Sequence, residues 1–92
     1  MGAVVTRKMT IENERGLHAR ASGALSQLCE NFDAEAIVRF DGEEADAGSI
    51  MDLLTLAATQ GSVIEVEAAG NDADAMVNAM ESLISDKFGE GR

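Results

Sequence analysis

An α+β fold, a four-stranded antiparallel sheet covered on one face by three helices, follows from three features of this 92-residue chain. Residues 4–11 and 63–69 alternate with the period of two that a half-buried strand requires. Elsewhere apolar residues recur at three- and four-residue spacing, the mark of helices with one buried face. Asp41-Gly42 supplies the turn chemistry of a tight two-residue hairpin between two further extended segments. The order is strand, helix, strand, strand, helix, strand, helix, and helices with a single apolar face belong on one side of an antiparallel sheet.

Residues 1–3 are expected to form a disordered lead, and 4–11 the first strand, with Val5, Met9 and Ile11 on one face that Arg7 interrupts. The polar turn Glu12-Asn13-Glu14-Arg15-Gly16 closes on a glycine free to take positive φ. Ala21, Ala24, Leu25, Leu28, Cys29 and Phe32 then predict a helix to about Asn31. Ala36, Val38 and Phe40 alternate into the hairpin, and residues 43–47 return from it as a short strand.

Gly48-Ser49 opens a short helix, with Ser49 as its N-cap, Asp52 as an acidic capping-box partner, and Leu53 and Leu56 pointing inward. Thr59-Gln60-Gly61 is a turn, and residues 63–69 a strand with Ile64, Val66 and Ala68 inward and Glu65 and Glu67 toward solvent. Gly70-Asn71-Asp72 forms a corner that caps the last helix, whose stripe is Met76, Val77, Met80, Leu83, Ile84 and Phe88. Residues 89–92 are expected to be a frayed tail.

Residues 1–92 suit one small domain, ordered from about 4 to 88, whose apolar content of 46% is enough for a packed core. With 3% aromatic residues, that core must be filled by Ala, Leu, Ile, Val and Met. A net charge of −10 argues against nucleic acid and anionic membranes as partners, and the seven basic residues do not cluster along the chain. Two lysines against seventeen acidic residues would also suit work in high salt, which screens their repulsion. No stretch has the length of a membrane span and the start lacks a signal-peptide pattern, so the expectation is a cytoplasmic protein, monomeric by default. Cys29 lies on a helical apolar stripe, where packing is the expected role, and one histidine with one cysteine makes no metal motif.

The segment Gly16-Leu17-His18-Ala19-Arg20-Ala21-Ser22 places the only histidine where a turn gives way to a helix. A helix N-terminus leaves backbone N–H groups without intrahelical partners and carries the positive end of the helix dipole, so it suits an anion. Arg20 adds a cation nearby. An imidazole in this position can hold a phosphoryl group on nitrogen, with the amides and Arg20 neutralising its oxygens. Alternatively His18 only caps the helix, and spacing alone does not separate the two readings.

These residues resemble the HPr family, the histidine-containing phosphocarrier proteins of the phosphoenolpyruvate-dependent phosphotransferase system. The family's G-L-H-A-R-P-A is matched by residues 16–22, with Ala21 and Ser22 where the family has proline and alanine. The similarity runs without gaps from about residue 9 to 88, through Gly48-Ser49-Ile50-Met51 and Ala58-Thr59-Gln60-Gly61-Ser62. It implies the family's open-faced β-sandwich, βαββαβα. It implies a cofactor-free carrier phosphorylated on Nδ1 of His18 by Enzyme I or its nitrogen-system paralogue, with Arg20 stabilising the phosphate and an EIIA-type protein as acceptor. It further implies that Ser49 matches the regulatory site of lineages with an HPr kinase/phosphorylase, and that Ile50, Met51 and Leu54 match an apolar docking patch. Gln27, Glu30 and Asp52 stand where better-known members often carry lysine, which makes the docking face acidic.

Two other readings compete. One is a regulatory family member, of the nitrogen-type system or signalling through Ser49. The other, from a different class, is an acyl carrier protein bearing phosphopantetheine on Ser49, against which the strand signals argue because that fold is all-helical. There is no plausible Ser-His-Asp set, phosphate-loop glycine motif or metal cluster, so stand-alone turnover of a small substrate is not expected.

Overall fold

The alternation at the start of the chain becomes β1 (Ala3–Thr10), whose even-numbered residues face outward while Met9, and Ile11 just beyond it, are buried. The computed structural model describes residues 3–92. After β1 come α1 (Ala19–Cys29), β2 (Glu35–Phe40), β3 (Glu43–Asp46), α2 (Ile50–Thr55), β4 (Val63–Gly70), α3 (Ala73–Ser85) and a single 3₁₀ turn, Lys87–Gly89. The sheet has the spatial order β1-β4-β2-β3, every neighbouring pair antiparallel. The last strand in sequence thus lies between the first two, and its inward residues Ile64, Val66 and Ala68 are buried, as predicted. They pack with Leu25 of α1, Leu53 of α2, and Met76, Met80 and Ile84 of α3 in one core. Full burial of each large apolar side chain contributes about 1.5–3 kcal/mol.

The hairpin forms as its sequence demands. Asp41 and Gly42 both take positive φ, 52° and 81°, and Phe40 pairs with Glu43. On the outer face of the sheet Arg39 of β2 reaches Glu44 of β3 at 2.6 Å and Glu67 of β4 at 3.1 Å. Glu65 and Glu67 therefore face outward but are tied to a cation, which links three strands on the side that no helix covers.

Several boundaries and caps differ from expectation. Ala3, placed in the disordered lead, pairs with Gly70 in β1, while Met1 and Gly2 lie outside the described residues. Arg7 is on the helix side of the sheet, where the rim of α3 receives it: its guanidinium donates to Asn78 at 2.7 Å and Glu81 at 3.1 Å. The first helix ends at Cys29, with Glu30 as its C-cap, rather than at Asn31. The short strand ends at Asp46, with Ala47 buried just beyond it.

Ser49 caps α2 through an acceptor bond from the Asp52 N–H, 3.2 Å, but the Asp52 carboxylate turns to the Asp46 N–H, 3.4 Å, so no reciprocal box closes. Asp72 stands at the N-cap position of α3 without capping it, because its carboxylate accepts from the Asp33 N–H at 2.8 Å. Phe88 leaves the helical stripe: α3 stops at Ser85, Lys87 and Phe88 take positive φ, and the Phe88 ring is folded back into the core.

Candidate functional site

The turn before α1 is held from beneath by a buried side chain. Asn13 is fully enclosed, and its Nδ2 donates to the Gly16 carbonyl at 2.8 Å and to Glu90 Oε1 at 3.0 Å. Gly16 has φ +68°, and a Cβ there would come within 2.8 Å of Thr59 Cα as well as striking the Ala58 carbonyl. Both the conformation and the close approach require glycine. The next residue ties the turn down, the Leu17 N–H donating to the Ala58 carbonyl at 2.9 Å.

His18 follows in an extended conformation, φ −81° and ψ −177°, and stands at the N-terminus of α1, as predicted, in the N-cap position. Its carbonyl accepts the Ser22 N–H at 2.8 Å. Amides in the first turn of a helix have no intrahelical carbonyl to donate to. One of them, the Arg20 N–H, donates to His18 Nδ1 at 3.3 Å. On the opposite side of the ring Nε2 meets Glu90 Oε2 at 2.5 Å. A nitrogen that accepts from a backbone N–H carries no proton, so the neutral ring holds its proton on Nε2 and presents a lone pair at Nδ1. One first-turn amide, that of Arg20, thus points at the nitrogen that has the lone pair.

A polar cleft of about 470 Å³ opens around the ring, lined by Glu14, Arg15, His18, Arg20, Glu90 and Arg92. Basic residues do cluster here, contrary to the expectation from their spacing, because folding brings Arg92 to residues 15–20. The tail is held rather than frayed: besides the two contacts of Glu90, the Glu14 N–H donates to the Arg92 carbonyl at 2.9 Å. Burial pushes the Glu90 carboxyl up, but the hydrogen bonds from His18 and Asn13 and the nearby charges of His18 and Arg15 outweigh it. The net effect holds Glu90 below the usual carboxylate range. Glu90 is thus an anion at neutral pH, against the histidine and among guanidinium groups.

The other predicted residues lie on α2. Ser49 is half-buried at its N-cap, Ile50 and Met51 are 43% and 72% exposed, and Leu54 is half-buried. A Cβ on Gly23 would meet Ile50 Cδ1 at 3.8 Å, so α1 and this apolar patch adjoin. Ala21 and Ser22 are both fully buried beneath the site, Ser22 Oγ donating to the Leu17 carbonyl at 3.3 Å. Burial, with the charge of Asp46, pushes the Cys29 thiol up to about 11, which keeps it an unreactive packing group.

A family model described as "PTS HPr component phosphorylation site" matches residues 5–86, which include His18, Arg20 and Ser49. The chain belongs to the HPr family. It is 42% identical over 88 residues to the phosphocarrier protein HPr of Cupriavidus necator, covering 96% of this chain and 99% of that one. It is 40% identical over 89 residues to the phosphocarrier protein NPr of Escherichia coli K12, covering 94% and 99%. Among solved structures, HPr-C-His from Thermoanaerobacter tengcongensis superposes with a TM-score of 0.89 at 34% identity, covering 94% of this chain and 97% of that one. Membership in the HPr family, with its four-stranded sheet, sets aside the acyl-carrier reading.

Sequence reasoning missed Glu90, Arg92 and the part played by Asn13. Glu90 and Arg92 lie beyond the residues that the HPr family model matches, in a stretch whose glycines read as a tail. The available signal was Phe88: it is an apolar residue that packs into the core, and residues 90 and 92 beyond it meet the turn before α1.

Proposed function

We propose that His18 is a phosphoryl relay, accepting the group on Nδ1 from phosphorylated Enzyme I, or its nitrogen-system paralogue, and passing it to an EIIA-type protein. The observation that carries this reading is the ring's position: Nδ1, unprotonated and facing the Arg20 N–H, lies at the N-terminus of α1 in a cleft lined by Arg15, Arg20 and Arg92. In the transfer, the Nδ1 lone pair forms a bond to phosphorus as the donor's bond to phosphorus breaks and its electron pair leaves with the donor. The phosphoryl oxygens then face the first-turn amides and the Arg20 guanidinium, which stabilise them by charge-assisted hydrogen bonds. A lone histidine suits a carrier whose chemistry is completed by its partners.

Relatives named HPr and NPr are about equally similar, so the choice between sugar uptake and nitrogen-type regulation rests on which Enzyme I loads His18. Incubation with phosphoenolpyruvate and each Enzyme I in turn, read by intact mass, tests the proposal. One phosphoryl adduct on the wild type and none on His18→Ala is the expected result. An adduct retained by His18→Ala would sink it.

A second reading concerns Ser49, which a kinase of the HPr kinase/phosphorylase type would use to regulate docking through Ile50, Met51 and Leu54. It is supported by the exposure of Ile50 and Met51 directly after the Ser49 cap.

A further inference from the structure

The imidazole has two nitrogens, and the relay proposed above uses only one. The other, Nε2, is occupied by a carboxylate that reaches it from 72 residues away. That carboxylate is itself held, since Asn13, fully enclosed, donates to Oε1 while Oε2 faces the ring. Asn13 also donates to the carbonyl of Gly16, so one buried amide fixes both the turn that presents His18 and the acid that backs it. A surface ion pair formed by chance has no such support.

We propose that Glu90 is a positioning residue that acts through His18 Nε2: it directs the phosphoryl group to Nδ1 and keeps the phosphorylated ring able to give it away. This rests on the relay reading of His18 and extends it. When Nδ1 bonds to phosphorus, the ring keeps its Nε2 proton and becomes cationic. When an acceptor attacks phosphorus, the P–N electron pair returns to Nδ1 and a neutral imidazole departs, its proton still on Nε2. If that proton had been lost to solvent, the same step would expel an imidazolate anion, a far poorer leaving group. An anionic carboxylate against Nε2–H opposes loss of the proton from the cationic ring, and so extends to higher pH the range over which the phosphoryl group can be transferred.

The other charged groups facing the ring do not substitute for it. Glu14 and Arg15 line the cleft from the turn before α1, Arg20 from the first turn of α1, and Arg92 from beyond the 3₁₀ turn. The three guanidinium groups remain charged at all relevant pH values and favour proton loss from the ring. Glu14 makes no hydrogen bond to the ring, whose side-chain partner is Glu90. Glu90 is therefore the group that offsets the arginines at Nε2.

The full chain tests this as wild type, Glu90→Gln and Glu90→Ala, phosphorylated in one arm with phosphoramidate and in the other with Enzyme I and phosphoenolpyruvate. Nitrogen-15 NMR of the unphosphorylated ring should show the Nε2–H tautomer in the wild type and a mixture in Glu90→Ala. The phosphorylated wild type should carry its group on Nδ1. At mildly alkaline pH, Glu90→Gln, which keeps the shape but not the charge, should lose the phosphoryl group more slowly by on the order of tenfold, its pH profile moved to lower pH. Decay profiles that coincide in all three proteins, or phosphorylation of the wild type on Nε2, would overturn the proposal. Failure of Enzyme I to label any of them, with the phosphoramidate-labelled proteins still differing as described, would remove the relay reading while supporting the control of the ring by Glu90.

Discussion

His18 works through what its two nitrogens touch, and residue-scale tests follow from that. Arg20 supplies the Nδ1 side with a backbone N–H at 3.3 Å and lines the cleft with its side chain. Arg20→Ala removes the guanidinium with its side chain but leaves the backbone N–H, so transfer from Enzyme I should slow about ten- to a hundredfold without stopping. Rapid-quench kinetics check this, and an unchanged rate would show that the guanidinium points away from the phosphate. On the Nε2 side, Glu90 titrates lower in the folded chain than in the unfolded one. Its contribution to stability is thus complete above the usual carboxylate range and is lost as pH falls through the depressed folded value. Protection factors of the Gly89 and Glu90 amides should fall over that acidic window while β4 remains protected. Protection that persisted unchanged to strongly acid pH would contradict the role given to the carboxylate. The sequence made His18 and Arg20 legible because they are neighbours in a short motif, whereas Glu90 and Arg92 gain their meaning only through a contact across 72 residues.

At the scale of elements, periodic segments and the Ser49 cap were legible, and the roles of Asp52 and Asp72 were not. The alternation of β4, the Asp41-Gly42 hairpin and the stripe of α3 as far as Ile84 each depend on local spacing, and each formed as read, while Phe88 fell outside the helix. Asp52 and Asp72 stand at positions suited to capping, but nearby Asp46 and Asp33 N–H groups compete for their carboxylates. That competition is tertiary and leaves no trace in the order of residues. The turn from Asn13 to Gly16 is the element on which the site depends most. Gly16→Ala combines positive φ with a clash against the 58–59 backbone and should destabilise the protein by ~2–4 kcal/mol. Chemical denaturation checks the value; a loss well below 1 kcal/mol would mean that the turn relaxes freely and does not pin His18.

For the whole molecule, the charge balance is the dominant feature. A net charge of −10 surrounds a cleft that three of the seven basic residues line, so the site is a local exception in an acidic surface. Composition showed the acidity, but only the fold showed where the arginines gather. Asp52 already places negative charge beside the exposed Ile50 and Met51. A Ser49→Asp variant adds to it, so transfer from Enzyme I should fall most at low salt and recover as ionic strength rises. Wild-type rates at every salt concentration would confine Ser49 to capping α2. The account as a whole turns on which atom receives the phosphoryl group. Nitrogen-15 and phosphorus-31 NMR of the chain after reaction with Enzyme I and phosphoenolpyruvate measures this directly: the account predicts a single phosphoramidate on Nδ1 of His18, with Nε2 still protonated, and phosphate found on Nε2, on Ser49 or nowhere on the chain would contradict it.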